Sequence, residues 1–94
     1  MEISGHFDER FSVVRDAFEA NFLADEELGA SAAVTVEGQY VVDLWAGERN
    51  KSGDLWEEDT IVNVYSTTKT MASICMLMLA DRGLIDFEAP VADY

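Results

Sequence analysis

A serine and a lysine three residues apart, Ser66 and Lys69, are the candidate reactive groups of this chain. They lie where a short apolar stretch, residues 61–64, gives way to a helix predicted to begin near Thr67. Helical residues three apart share a face, so the Lys69 amine can be directed at the Ser66 hydroxyl. Unpaired N–H groups and partial positive charge at a helix N-terminus would stabilise an oxyanion there. The pattern indicates a serine nucleophile with a lysine as proton acceptor.

Ser66 and Lys69 also have a purely structural interpretation, as a helix cap and a solvated lysine of the first turn. Ser-x-x-Lys combines two common residue types, so it arises by chance in roughly one of every two or three chains of this size. Against that interpretation, a cation is mildly unfavourable in the first turn of a helix. Residues 71–80 are apolar except Ser73, which predicts a helix buried on all sides. Partial desolvation of Lys69 there would suit it to accept a proton.

Three blocks of sequence extend the pattern around Ser66. Residues 41–47 are Val-Val-Asp-Leu-Trp-Ala-Gly, residues 56–69 are Trp-Glu-Glu-Asp-Thr-Ile-Val-Asn-Val-Tyr-Ser-Thr-Thr-Lys, and residues 79–94 are Leu-Ala-Asp-Arg-Gly-Leu-Ile-Asp-Phe-Glu-Ala-Pro-Val-Ala-Asp-Tyr. Together they resemble the serine β-lactamase and penicillin-binding-protein superfamily, whose nucleophile motif is Ser-x-x-Lys. Within it, the class C β-lactamase-like carboxylesterases of family VIII look most similar. Joint agreement across the blocks is far more specific than the motif alone.

The resemblance implies acyl transfer from a small-molecule ester or lactam, with Ser66 as nucleophile and Lys69 as base. It favours esters with short acyl chains and allows weak β-lactam hydrolysis. The family's third catalytic group is a tyrosine in a Tyr-x-Asn type motif well downstream, and Tyr40, Tyr65 and Tyr94 lack that context. We therefore expect residues 1–94 to be the N-terminal portion of one β-lactamase-like serine hydrolase domain, with little or no turnover alone.

The predicted elements begin with an amphipathic helix over residues 7–23. Ser4 is a suitable cap, and the polar residues that end at Gly29 would stop the helix. We expect its aromatic stripe to pack on the chain's own sheet rather than in a partner's groove. The stripe consists of Phe7, Phe11, Val14, Phe18 and Phe22.

Two strands, residues 31–36 and 39–45, flank Glu37-Gly38, which predicts a β-hairpin because glycine tolerates positive φ. Residues 61–64 are predicted to form a short third strand, residues 46–59 a surface loop, and Gly83 to end the buried helix. The resemblance implies that the hairpin starts a larger antiparallel sheet. The predicted fold class is α+β, as in β-lactamase-like enzymes.

Two triplets mimic motifs that those enzymes carry downstream of the nucleophile. Residues 51–53 are Lys-Ser-Gly, similar to a Lys-Thr/Ser-Gly triplet, and residues 45–47 are Trp-Ala-Gly, similar to Trp-x-Gly. Both precede Ser66, so we interpret both as structural.

The composition argues against several classes of partner. The net charge of −13, from 19 acidic and 6 basic residues, disfavours nucleic acid and anionic membranes and suggests a solvated surface. One histidine and one cysteine cannot build a zinc site, so we expect no metal and no other cofactor. Cys75 is expected to be a buried structural thiol. The first residues lack the pattern of an export signal, which favours a cytoplasmic location.

Three hypotheses follow. The first is a serine carboxylesterase or β-lactamase-like enzyme. The second is a non-catalytic fragment or relative that self-associates through its aromatic helix and its apolar helix. The third is an unrelated acidic binding domain with a chance Ser-x-x-Lys. A helix apolar on every side needs more neighbours than 94 residues can supply, so the remainder of the enzyme or another copy of the chain is expected to complete the fold.

Overall fold

The computed structural model describes all 94 residues and divides into two compact units, Met1–Val62 and Asn63–Tyr94. Its fold class is α+β, as predicted. The elements in chain order are β1 (Ile3–Phe7), a 3₁₀ turn (Glu9–Phe11), α1 (Ser12–Leu23), β2 (Gly29–Val36), β3 (Gln39–Gly47), a 3₁₀ turn (Tyr65–Thr67), α2 (Thr68–Asp81) and a last 3₁₀ turn (Val91–Asp93).

The first unit is built on a three-stranded antiparallel sheet in the order β1-β3-β2. The predicted hairpin is confirmed, with β2 and β3 joined at Glu37 and Gly38. Both turn residues have positive φ, 51° and 77°, as a two-residue turn of type I′ requires. The shift in register between Val34 and Thr35 leaves Val41 of β3 without a partner in β2, which marks a bulge in β3.

The third strand differs from the prediction. Residues 61–64 form no strand, and the strand that completes the sheet is β1, paired with β3 from Ile3 opposite Ala46 onward. β1 has a ladder of partners in β3, whereas residues 61–64 have none within this chain. Gly5 permits the pairing because it has a φ of 99° and a Cβ there would overlap the Asp43 carbonyl oxygen.

The ends of the first helix also differ from the prediction. Ser4 lies in β1, and α1 itself has Phe11 at its N-cap position and no side-chain cap. The 3₁₀ turn before α1 is capped by Asp8, whose carboxylate accepts the Arg10 backbone N–H at 2.9 Å and an Arg10 guanidinium N–H at 2.9 Å. The side-chain bond, followed by the backbone bond, lowers the pKa of Asp8, and the same pair raises the pKa of Arg10. At the other end α1 stops at Leu23, and Asp25 (φ 57°), not Gly29, has the left-handed conformation that follows it.

The core of the first unit lies around β3. Val42 and Leu44 are fully buried, and Val41 and Ala46 are nearly so. The prediction that the aromatic stripe packs on the chain's own sheet is confirmed for four of its five residues, although Phe7 lies in β1 and Phe11 in the 3₁₀ turn rather than in α1. The partly buried residues that cover this core are Ile3, Phe7, Phe11, Val14 and Phe18.

α2 is the helix predicted after Ser66, and Gly83 ends it as predicted. Gly83 has a φ of 72°, and the N–H groups of Gly83 and Leu84 donate to the carbonyls of Ala80 (3.0 Å) and Leu79 (2.9 Å), which is a Schellman motif.

The burial expected for α2 is not found in this chain. None of its residues is buried, and Cys75, expected to be a buried thiol, is exposed. The reason is that Asn63–Tyr94 contains neither a strand nor a second α-helix that could cover it. Neither α2 nor any other helix is long and apolar enough to span a membrane.

Candidate functional site

Ser66 and Lys69 lie together at the start of α2. Ser66 is the central residue of the 3₁₀ turn Tyr65–Thr67, and Lys69 is the second residue of the helix that follows directly. Their separation of three places both side chains on one side of this helical path. Both are exposed.

The structure does not support the interpretation of Ser66 as a helix cap. Thr67 occupies the N-cap position of α2, and no side chain caps either α2 or the preceding 3₁₀ turn. The only side-chain hydrogen bond at this turn is the one that Asn63 accepts from the Tyr65 N–H. The Ser66 hydroxyl is therefore not committed to holding the helix.

The backbone N–H of Ser66 is also without a protein acceptor. The Thr67 N–H donates to the Val64 carbonyl at 3.1 Å, and the Thr68 N–H donates to the carbonyls of Tyr65 and Ser66, whereas no backbone hydrogen bond starts from Ser66. A free N–H beside a free hydroxyl, at the positive end of a helix, has the chemistry needed to bind an oxyanion.

Lys69 has no acidic partner. The four ion pairs of the chain all involve arginines of the first unit, Arg10, Arg15 and Arg49. The Lys69 amine is thus available to interact with Ser66 or with a substrate. The burial that the sequence predicted around it is absent, because residues 63–94 leave the start of α2 open.

Tyr65 has an unusual backbone conformation immediately before the candidate nucleophile. Its φ of 47° lies in the left-handed region, which costs an L-residue roughly 1–2 kcal/mol and is rare for bulky side chains. Sequence reasoning missed this feature, because tyrosine gives no signal for it. The one available hint is Asn63, a residue type that accepts a hydrogen bond from the backbone two positions on, here at 3.4 Å.

An apolar groove of about 340 Å³ lies along α2 in the second unit. Met76 contributes from the helix, and the other lining residues, all from the segment after it, are Ile85, Asp86, Phe87, Ala89, Val91 and Tyr94. The Tyr94 hydroxyl accepts the Asp86 N–H at 2.7 Å, so this tyrosine holds its own segment together. The groove offers apolar contact and no further nucleophile.

The Trp-Ala-Gly and Lys-Ser-Gly triplets that mimic downstream motifs occupy structural positions in the first unit. Residues 45–47 end β3. Residues 51–53 belong to an exposed turn in which the Asn50 carboxamide oxygen accepts the Ser52 N–H at 2.9 Å. No group of three or more His, Cys, Asp or Glu side chains is arranged to hold a metal ion.

Comparison with known sequences connects the chain to one family. Residues 15–94 match the family model described as Beta-lactamase. The esterase/beta-lactamase LipL of Mycobacterium tuberculosis (strain ATCC 25618 / H37Rv) is 43% identical over 93 residues, which cover 98% of this chain and 22% of LipL.

Two solved structures share the fold. A family VIII carboxylesterase is 49% identical with a TM-score of 0.94, and the match covers 100% of this chain and 26% of that one. A novel penicillin-binding protein homolog from Caulobacter crescentus is 37% identical with a TM-score of 0.90, and the match covers 99% of this chain and 25% of that one. The chain thus spans about a quarter of the length of these relatives.

Proposed function

Because the chain belongs to the beta-lactamase family, as its resemblance predicted, we propose that it is the nucleophile-bearing N-terminal segment of a serine hydrolase. The observation that carries the proposal is the arrangement at the start of α2, where an uncommitted Ser66 hydroxyl and an unpaired Lys69 amine lie on one side of a helix N-terminus. The names of the relatives support ester hydrolysis, and the name of LipL supports β-lactam hydrolysis as well.

The reaction proceeds through an acyl-enzyme. Lys69 takes the proton of Ser66 as the serine oxygen attacks the ester carbonyl carbon, and the Ser66 N–H donates a hydrogen bond to the resulting oxyanion. The C–O bond to the alcohol then breaks, the alcohol leaves with the proton from Lys69, and the acyl group remains on Ser66. Water attacks the acyl-enzyme, which releases the carboxylic acid and restores the hydroxyl.

The remainder of the enzyme would supply what these residues lack. Catalysis of this kind needs a second oxyanion donor, and the family pattern adds a tyrosine as a second base; none of the chain's own tyrosines has that context. The relatives are about four times longer than the part matched here, which leaves ample sequence for both groups. Residues 1–94 alone should therefore show little or no turnover.

Intact-mass spectrometry after incubation with a fluorophosphonate tests the proposal. We would treat the chain alone and the chain mixed with the remaining three-quarters of the family VIII carboxylesterase. A single adduct at Ser66 is expected, absent in Ser66→Ala and formed about 10²–10³-fold more slowly in Lys69→Ala.

Ser73→Ala is the matched control, because Ser73 is an exposed serine of α2 without a lysine three residues later. It should acquire the adduct at the wild-type rate. If the folded chain stays unlabelled at Ser66 both alone and in the mixture, Ser66 is not the nucleophile.

The exposed apolar residues of α2 favour self-association as a second candidate. Met71, Ile74 and Leu77 are 58%, 45% and 58% exposed, and a patch of this kind usually has a partner. Light scattering over a range of protein concentrations tests self-association. The molar mass of a self-associating chain should rise with concentration, and Leu77→Gln should reduce that rise. A constant monomer mass would exclude this candidate.

A further inference from the structure

Tyr65 is exceptional among the non-glycine residues with positive φ. Asp25 follows the end of α1, and Glu37 is in the hairpin turn, where the turn type requires positive φ. Tyr65 is neither at a helix C-terminus nor in a hairpin, and it carries a bulky side chain that disfavours this conformation. Disfavoured backbone conformations cluster at functional sites, and this one directly precedes the candidate nucleophile.

The conformation of Tyr65 determines how Ser66 is presented. Val64 before it has φ −103° and ψ 5°, and Thr68 after it has φ −55° and ψ −29°, already helical. One left-handed residue thus lies between the non-helical Val64 and the helical Thr68, at the point where the chain enters the helical turn. Rotation about this φ would reorient the Ser66 N–H and hydroxyl relative to residues 63–64.

The ring of Tyr65 plays no part in this local structure. The residue is 79% exposed, and its hydroxyl makes no hydrogen bond, whereas its backbone N–H donates to Asn63. What is specific about Tyr65 is therefore its backbone. The contact with Asn63 is long, at 3.4 Å, so it assists the turn and does not by itself impose it.

We propose that Tyr65 is a positioning residue for the nucleophile, and that it acts through its left-handed backbone rather than its phenol ring. The proposal rests on the proposed function of Ser66. It predicts that residue types compatible with positive φ preserve the reactivity of Ser66, whatever their side chains, and that residue types incompatible with it do not.

Four substitutions separate the backbone from the ring. Tyr65→Phe keeps the aromatic ring, Tyr65→Gly and Tyr65→Asn keep access to positive φ without a ring, and Tyr65→Val is β-branched and disfavours it. The maximal rate of Ser66 acylation by a fluorophosphonate should stay within about threefold of wild type for Tyr65→Phe, Tyr65→Gly and Tyr65→Asn. It should fall roughly tenfold or more for Tyr65→Val. The half-saturating probe concentration should not change, because positioning affects the reaction step and not probe binding.

The backbone φ of residue 65, determined by NMR on the same samples from the three-bond HN–Hα coupling together with the intraresidue HN–Hα NOE, is the second readout. A left-handed φ is expected in every protein of the series except the Tyr65→Val variant. Fast acylation in Tyr65→Phe with equally slow acylation in Tyr65→Gly, Tyr65→Asn and Tyr65→Val would assign the effect to the ring and overturn the proposal. Wild-type rates in all four variants would also overturn it, because the backbone conformation would then have no effect.

The proposed function and the positioning role can fail separately. A wild-type chain with left-handed Tyr65 and no adduct at Ser66 would refute the nucleophile, and the positioning role with it. A negative φ at residue 65 in a wild-type chain that does label at Ser66 would refute the positioning role alone.

Discussion

The two units of the chain differ in what their residues provide. Met1–Val62 contains every buried residue and all four ion pairs, and its sheet is covered by α1. Asn63–Tyr94 contains Ser66 and Lys69 but no buried residue. The residues that stabilise this chain are therefore not those that carry its candidate chemistry.

The difference follows from the pattern of the two helices. α1 has apolar residues along one face, so a single sheet can cover them. α2 is apolar on nearly every side, so it needs cover from several directions, and the 94 residues do not provide it. The segment that carries Ser66 and Lys69 thus has a well-defined local structure, although most of its apolar surface lacks neighbours.

The largest effect on stability should come from truncating the core of the first unit. Leu44 is 2% exposed, so Leu44→Ala should lower the free energy of unfolding by about 3 kcal/mol through lost burial and a cavity. Leu77→Ala in α2, where the leucine is 58% exposed, is the control and should cost less than about 0.5 kcal/mol. Urea unfolding followed by far-UV circular dichroism, which detects structure in both units, measures both. Equal losses would remove the contrast between the units.

Gly5→Ala should have the next largest effect, about 2 kcal/mol. The added Cβ overlaps the Asp43 carbonyl, and positive φ adds strain, but an edge strand can move away from its partner, which limits the cost. Gly53 also has positive φ, and a Cβ there meets nothing within 4 Å, so Gly53→Ala should cost about 1 kcal/mol. Thermal unfolding compares them, and a Gly53 variant as unstable as the Gly5 variant would contradict the role of close packing.

Replacing exposed apolar residues of α2 should barely change stability. The double variant Ile74→Gln, Leu77→Gln should shift the free energy of unfolding by less than about 0.5 kcal/mol, since neither side chain is buried in this chain. It should nevertheless reduce the fluorescence of a dye that binds apolar surface. A stability loss comparable to that of Leu44→Ala would mean that α2 is covered after all.

The smallest expected effect is the pH dependence contributed by Asp8. Its folded pKa is lowered from 3.8 by Arg10, so the native state favours the charged carboxylate. This contribution is fully present above the unfolded pKa and is lost as pH falls through the folded pKa. Denaturation curves of wild type and Asp8→Asn should therefore differ by a constant small amount above about pH 5 and converge in more acidic solution. A stability difference between the two proteins that grows as the pH falls would contradict a lowered pKa of Asp8.

The sequence was sufficient for features set by local pattern. The hairpin at Glu37-Gly38, the aromatic stripe of α1 and the end of α2 at Gly83 each depend on residues close together in sequence. The blocks around Ser66 were also sufficient to identify the family.

The errors concern features that depend on distant residues. β1 is short and has Ser-Gly-His in its middle, and it is a strand because β3 lies beside it. Residues 61–64 have a better strand composition but no partner in this chain. The burial expected for α2 and Cys75 assumed neighbours that residues 63–94 do not supply. The left-handed φ of Tyr65 contradicts the preference of its residue type and could not be read from it.

The topology of the sheet also has a consequence for the order of synthesis. Ile3 pairs with Ala46, so β1 leaves the ribosome well before its partner strand exists, whereas β2 immediately precedes β3. At translation rates of roughly 5–20 residues per second, the separation of about 40 residues corresponds to a delay of roughly 2–8 s. During that interval β1 has no ladder to join, and the hairpin can form as soon as β3 emerges. We expect β1 to pair with β3 only after that strand has been made.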